Sequence, residues 1–285
     1  MALLLLGMAI ASCDSTKSCG DGGFQSLVDE AGQGDAAAQF KLGRMYDGGA
    51  ECVSQDAKAA AEWYEKAANQ GYAKAQANLG LLYATGDGVT QGDQVALKWF
   101  KKAANQGNMV GQNNLGVMYK NAQGVAQDYK EAAKWFKKAA EQGYSDAQYN
   151  LGAMYDDGQG VTQDYKFAVQ WYKKAADQGD SDAQYNLGAK YDNGQGVSQD
   201  YQQAAIWYEK SAKQGNPDAQ YDLGIAYVKG NGVQQDIMTA YMWFDLASRS
   251  HDKQALNAKA LTAKALTPKQ LEKAQQMTKE WKIRQ

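Results

Sequence analysis

Histidine is nearly missing from this chain: His251 is the only one in 285 residues. That scarcity leaves little room for imidazole acid–base chemistry, and no Cys/His cluster has metal-ligand spacing. Only two prolines occur, Pro217 and Pro268. A field of one sign is missing too. Lys and Arg total 30 against 32 Asp and Glu, for a formal charge of -2 and a pI of about 5.6. Nucleic-acid binding leans on a basic field that neutralises phosphates, and none is visible here. The longest apolar run, residues 2–12, is shorter than the roughly 20 residues a spanning helix needs. Aliphatic and aromatic content is nevertheless ample for a folded protein.

What the chain does have is a period. Trp63, Trp99, Trp135, Trp171, Trp207 and Trp243 recur every 36 residues. A bulky aromatic at such an interval marks one supersecondary unit copied in tandem, each touching only its neighbours. A Leu-Gly pair keeps the same rhythm at Leu42, Leu79, Leu115, Leu151, Leu187 and Leu223, with steps of 37 and then 36 four times. The extra residue falls in 48–52, read as a loop.

The fifth copy shows how a unit is built. Ala183, Leu187 and Tyr191 lie four apart on one face of a first helix. Gly188 costs that helix about 1 kcal/mol against alanine, so its recurrence implies close helix approach. Asp35, Asn108, Asp180 and Asn216 are placed to cap first helices, and Asp56, Asp128, Asp164, Asp200 and Asp236 to cap second ones. Gly71, Gly107, Gly143, Gly179 and Gly215 stop the second helices. Between the two helices runs a loop of the form Gly-x-Gly-Val, as at Gly194–Val197. No Lys-Ser or Lys-Thr follows it, which argues against phosphate binding. The repeated Trp, Leu, Tyr and Ala positions are read as core.

In order, Ala-x-Ala-Gln, Leu-Gly, Tyr, Gly-x-Gly-Val, Asp, Ala and Trp-aromatic-x-Lys-Ala-Ala recur over residues 34–248. This pattern resembles the Sel1-like repeat, a relative of the tetratricopeptide repeat with a longer internal loop. The resemblance implies an all-α fold: a right-handed α-solenoid of stacked antiparallel helix pairs. Gly111, Ala122 and Gly92 depart from the pattern in the second and third units. The expected organisation is a signal peptide at 1–12, a flexible tether at 13–23, a half-repeat helix at 24–33, six repeats at 34–248 and capping helices at 249–285. Thr267, Pro268 and Gln270 form a capping box that starts the last of these helices.

The apolar start suits a secretory signal. Its end, Ile10-Ala11-Ser12-Cys13, resembles the bacterial lipobox, which implies cleavage before Cys13 and lipidation of that cysteine. No Lys or Arg precedes the run, a departure from such signals, and the alternative is an uncleaved apolar tail. Asp14 resembles the signal for retention at the inner membrane. Cys19 and Cys52 then remain, either disulfide-bonded in an oxidising periplasm or as two free thiols.

Candidate binding residues stand outside the repeated core. Tyr149, Tyr185 and Tyr221 each lie two before the leucine and would align on stacked first helices. Tyrosine offers contact area and a hydroxyl at low entropic cost. Asp156, Asp157 and Asp192 would give the same groove an acidic edge. The alternative is that the tyrosines pack between repeats and the aspartates are solvated. Asn150 and Asn186 belong to a ladder that either clamps a partner's backbone or ties repeats together. For catalysis, Ser250-His251-Asp252-Lys253 contains Ser-x-x-Lys without its usual companions. No catalytic residue, metal or cofactor is expected. The family resemblance implies a monomeric, non-enzymatic adaptor in the bacterial envelope, anchored through Cys13, that binds other proteins and not nucleic acid. The alternatives are a β-lactam-interacting hydrolase and a surface factor that binds host protein.

Overall fold

Capping carboxylates and terminal glycines cut this chain into helices of nearly equal length. The computed structural model describes residues 22–50, 53–250 and 253–283. Cys13, Asp14, Cys19, Cys52, His251 and Asp252 lie outside them. The helices are α1 (Gly23–Gly32), α2 (Ala36–Gly48), α3 (Ala57–Asn69), α4 (Ala73–Thr85), α5 (Asp93–Asn105), α6 (Met109–Asn121), α7 (Tyr129–Glu141) and α8 (Ser145–Asp157). They continue with α9 (Tyr165–Asp177), α10 (Ser181–Asn193), α11 (Tyr201–Lys213), α12 (Pro217–Lys229), α13 (Ile237–Ala247), α14 (Lys253–Ala265) and α15 (Pro268–Ile283). No strand occurs among the described residues. Ala50 and Val53 form an isolated bridge beside the extra residue of the first repeat.

The caps work as their chemistry dictates. Asp128, Asp164 and Asp200 each accept two backbone N–H bonds at 2.9–3.1 Å, and Asp56 and Asp236 accept one. Asp35, Asn108, Asp180 and Asn216 do the same for first helices at 2.7–2.9 Å. Each such cap stabilises its helix by about 1 kcal/mol. Gly92 offers α5 no side-chain cap. The capping box of α15 is in place: Gln270 Oε1 accepts from Thr267 N at 3.0 Å, and Gln270 N donates to Thr267 Oγ1 at 3.4 Å.

Two compact units divide the chain, Met1–Ala147 and Gln148–Gln285. In the first, α2/α3, α4/α5 and α6/α7 are hairpins, with α1 packed on α2. In the second, α8/α9, α10/α11 and α12/α13 are hairpins, followed by α14 and α15 packed on α13.

The core of each hairpin centres on the residue after the tryptophan. Tyr64, Phe100, Phe136, Tyr172, Tyr208 and Phe244 are buried. Each lies against the mid-helix glycine of its own repeat. A Cβ on Gly43, Gly80, Gly116, Gly152, Gly188 or Gly224 would stand 2.6–2.7 Å from that ring. Burying such a ring stabilises by roughly 1.5–3 kcal/mol, which outweighs the ~1 kcal/mol that glycine costs the helix.

The tryptophans behave differently from the sequence expectation of a uniform core. Trp99, Trp207 and Trp243 are buried, but Trp63, Trp135 and Trp171 are only half-buried. Within each unit, indoles fill the seams between repeats. Trp207 packs on Ala168, Val169 and Tyr172 of the preceding repeat, and Trp99 on Ala60, Ala61 and Tyr64. The outer edge of the indole is covered from its own helix. Lys66, Lys102, Lys138, Lys174 and Lys210, each three residues on, hold an ammonium 3.6–4.2 Å from the ring centroid. That cation–π contact substitutes for full burial. In the last repeat Leu246 replaces the lysine, and Trp281 of α15 stacks edge-on to Trp243 at 5.0 Å.

Candidate functional site

The second unit contains every candidate binding residue named above. Tyr149, Tyr185 and Tyr221 sit at one register position of α8, α10 and α12, and all three are half-buried. Each ring leans on the core aromatic of its own repeat: Tyr149 on Tyr172 at 5.9 Å, Tyr185 on Tyr208 at 5.8 Å, Tyr221 on Phe244 at 5.6 Å. The outer ends of Tyr149 and Tyr185 reach toward the following repeat. Tyr185 donates to Asp222 Oδ2 at 3.2 Å, and Tyr149 hydrogen-bonds Asn186. Burial, and then the carboxylate of Asp182, pushes the Tyr149 hydroxyl above its ordinary pKa. Burial followed by Asp222 does the same to Tyr185. Tyr149 and Tyr185 therefore do two jobs: one ring face completes the hairpin core, and the other end meets polar groups of the neighbour. Asn186 acts as a tie between repeats, and Asn150 is likewise engaged.

The aspartates separate. Asp157 is exposed. Asp156 is consumed within the fold, accepting from Tyr172 at 3.2 Å and pairing with the ammonium of Lys190. Asp192 is half-buried, and burial raises its carboxyl above the ordinary range, with Lys229 opposing. A rule within the chain accounts for two of the three. An aspartate follows the repeat tyrosine at Asp47, Asp156 and Asp192, where the core ring of that repeat is Tyr64, Tyr172 and Tyr208. Where the ring is Phe100, Phe136 or Phe244, the same position holds Ala84, Lys120 or Val228. A phenol buried in a hairpin needs an acceptor, and Tyr64 donates to Asp47 at 3.0 Å as Tyr172 does to Asp156. In repeat five, by contrast, a cavity opens beside Asp192 and Tyr208.

Exposed acid on this face comes from first-helix positions that the pattern reading passed over. Asp182 and Asp218 are exposed on α10 and α12, three residues before Tyr185 and Tyr221, a spacing that places them beside those tyrosines.

The tie between repeats that sequence reasoning missed is glutamine. Gln76, Gln112, Gln184 and Gln220 are buried, and each donates to a carbonyl of the preceding second helix at 3.0–3.3 Å. Gln106, Gln142, Gln178 and Gln214 donate in turn to Gln76, Gln112, Gln148 and Gln184 at 2.7–2.8 Å. The signal was present as the Gln of Ala-x-Ala-Gln, repeating with the tryptophans.

Ser250 Oγ donates to Ala247 O at 2.8 Å, spending its hydroxyl on the end of a helical turn. Among the described residues no group of three or more His, Cys, Asp or Glu could hold a metal, and no helix is long and apolar enough to cross a membrane.

Stacked helical hairpins that share a core ring, a seam indole and a glutamine tie define a repeat-scaffold protein. The chain belongs to the Sel1 repeat family, with six Sel1 repeats matched at residues 36–72, 73–108, 110–144, 145–180, 181–216 and 217–252. A crystal structure of a Sel1 repeat protein from Oxalobacter formigenes is 37% identical, with a TM-score of 0.72, over 79% of this chain and 90% of that one. The protective antigen c5321 of uropathogenic Escherichia coli, which has an SLR fold, is 32% identical over 91% of this chain and 71% of its own, with a TM-score of 0.41. An immunity protein from Pseudomonas aeruginosa, Pa5087, is 25% identical over 80% and 81%, with a TM-score of 0.47. A comparison with curated proteins finds no match. Sel1 repeat proteins generally mediate protein–protein interaction, and the scaffold is typically non-catalytic.

Proposed function

We propose that this protein is an adaptor of the bacterial envelope, lipidated at Cys13, which holds a segment of a partner protein along the first helices of its second unit. The observation that carries the reading is a half-buried tyrosine with an exposed aspartate three residues before it, on two successive first helices. Tyr185 with Asp182 and Tyr221 with Asp218 form such pairs on successive helices, and Tyr149 and Asp157 extend the row onto α8. An aromatic that shows one edge to solvent, flanked by charge, gives contact area and orientation together. Weak contacts of this kind add along a row when one extended segment spans several repeats. The location rests on the sequence Ile10–Cys13.

Charge reversal tests the surface while sparing the core. Asp157→Lys, Asp182→Lys and Asp218→Lys together should abolish capture of the partner from envelope extract, with the helical circular dichroism unchanged. Undiminished capture by the folded variant would remove the proposed face. Metabolic labelling with a fatty-acid analogue tests the anchor: label should enter the full chain and be absent from Cys13→Ala.

A further inference from the structure

A lysine is missing from the second unit, and the space it would fill is still there. In the fifth repeat, Lys190 occupies a core position where earlier repeats carry Leu82, Met118 and Met154, and it reaches back to the fourth. Its ammonium pairs with Asp156, donates to Gln195 Oε1 at 3.0 Å and stands 4.8 Å from the centroid of the Tyr165 ring. Tyr172 completes the group by donating to Asp156.

One repeat later, 36 residues on, the counterparts are Asp192, Tyr201, Tyr208 and Asn231, with Ala226 in place of the lysine. All five line a single cavity of about 50 Å³. Ala205 widens it where the preceding repeat has Val169, and Asp222 adds a second carboxylate. The hole therefore keeps the carboxylate, the phenol, the aromatic wall and the amide that surround an ammonium in the repeat before, and lacks an ammonium at the position of Lys190, while the exposed Lys229 joins its lining at the rim. Two further facts agree with an unmet demand for a cation. Burial pushes both Asp192 and Asp222 above the ordinary carboxylate range. Lys229, exposed at the rim, opposes the shift of each through its charge without reversing it.

We propose that the Asp192–Tyr208–Asp222 cavity is a binding site for a primary alkylammonium, and that its occupant is a lysine side chain of the partner segment. The identity of that carrier rests on the adaptor reading; the cavity's affinity for an amine does not. A short stem entering past Tyr201 puts the ammonium between two carboxylates, with the ring of Tyr201 on its flank. This reproduces in trans the contacts that Lys190 makes in cis.

The test is a titration of the full chain with Nα-acetyl-lysine amide, read by NMR on the methyl groups of Ala204, Ala205 and Ala226. Saturable shifts are expected with the amine. None is expected with its Nε-acetylated counterpart, which has the same length and no charge. Ala226→Lys rebuilds the arrangement of the preceding repeat and should abolish binding while raising the melting temperature. Asp192→Asn keeps the shape of the cavity and should weaken binding roughly tenfold or more. Shifts of equal size with the neutral analogue, or binding undiminished in Asp192→Asn, would overturn the site. Binding that appears only in Lys229→Ala would show that Lys229 is itself the occupant, which also overturns it. Equal affinity for n-butylamine would overturn the assignment to a protein side chain and give the pocket to free amines. Loss of partner capture in the charge-reversal variant alongside a failed titration would separate the two proposals, leaving the adaptor standing without this pocket.

Discussion

Ala122 is the only non-glycine residue with positive φ among the described residues, at 59°. It caps α6 in the left-handed region, where other repeats use Gly86, Gly194 and Gly230. An L side chain there costs about 1–2 kcal/mol. Ala122→Gly is therefore expected to raise stability by about 1 kcal/mol, measured by denaturant unfolding. Asp222 sets a pH dependence at the same scale. Burial raises its carboxyl from 3.8 to about 6, with the Tyr185 hydrogen bond and Lys229 opposing, and Asp192 and Asp218 adding to it. Its folded pKa lies above the unfolded one, so the folded chain holds this proton more tightly. The contribution of Asp222 to stability is greatest below its unfolded value and is lost as pH rises through about 6. Melting temperature should fall across that window in the wild type and run flatter in Asp222→Asn. An Asp222 titration midpoint near 4 by NMR would contradict this.

Among elements, the link between α8, α9 and α10 is an ion pair inside the second unit. Lys190 is 8% exposed, and removing one partner of a buried pair leaves the other uncompensated, at a cost of about 3–5 kcal/mol. Lys190→Met alone should destabilise by an amount of that order. Adding Asp156→Ala and Tyr172→Phe installs the combination of Ala84 and Phe100 from the second repeat and should recover most of the loss. A triple variant no better than the single one would mean that the pair does more than satisfy itself. Gly188→Ala tests the hairpin core, because the new methyl would sit 2.7 Å from the Tyr208 ring. Overpacking of this kind costs about 1–3 kcal/mol.

These elements also show what the sequence made legible. Helix ends were readable because caps and terminal glycines act locally, through bonds spanning two or three residues. The mid-helix glycine was readable as a close approach, but not what it approaches. The ring it meets follows the tryptophan by one residue, and only the hairpin's geometry says which of two adjacent aromatics points inward. Asp156 looked like part of an acidic groove edge for the same reason: its partner, Tyr172, lies 16 residues further on, across a loop. The cavity beside Ala226 was out of reach of pattern reading, since an alanine in a repeat already rich in alanine gives no signal until the residues around it are seen in space.

At the scale of the whole molecule, repetition sets both stability and function. Within each unit a repeat contributes its own hairpin and a seam to its neighbour, so a weak repeat should be felt locally. The second and third repeats carry the departures Gly92, Gly111 and Ala122. The same economy leaves the face variable while the core is copied, and Asp157, Asp182 and Asp218 stand exposed on that variable face.

Hydrogen exchange of the full chain, measured alone and with its captured partner, tests the central claim most directly. Slowed exchange is expected in α8, α10 and α12, and little change in α9, α11 and α13. Protection confined to the second helices, or to the first unit, would contradict an adaptor that works through the tyrosine–aspartate face.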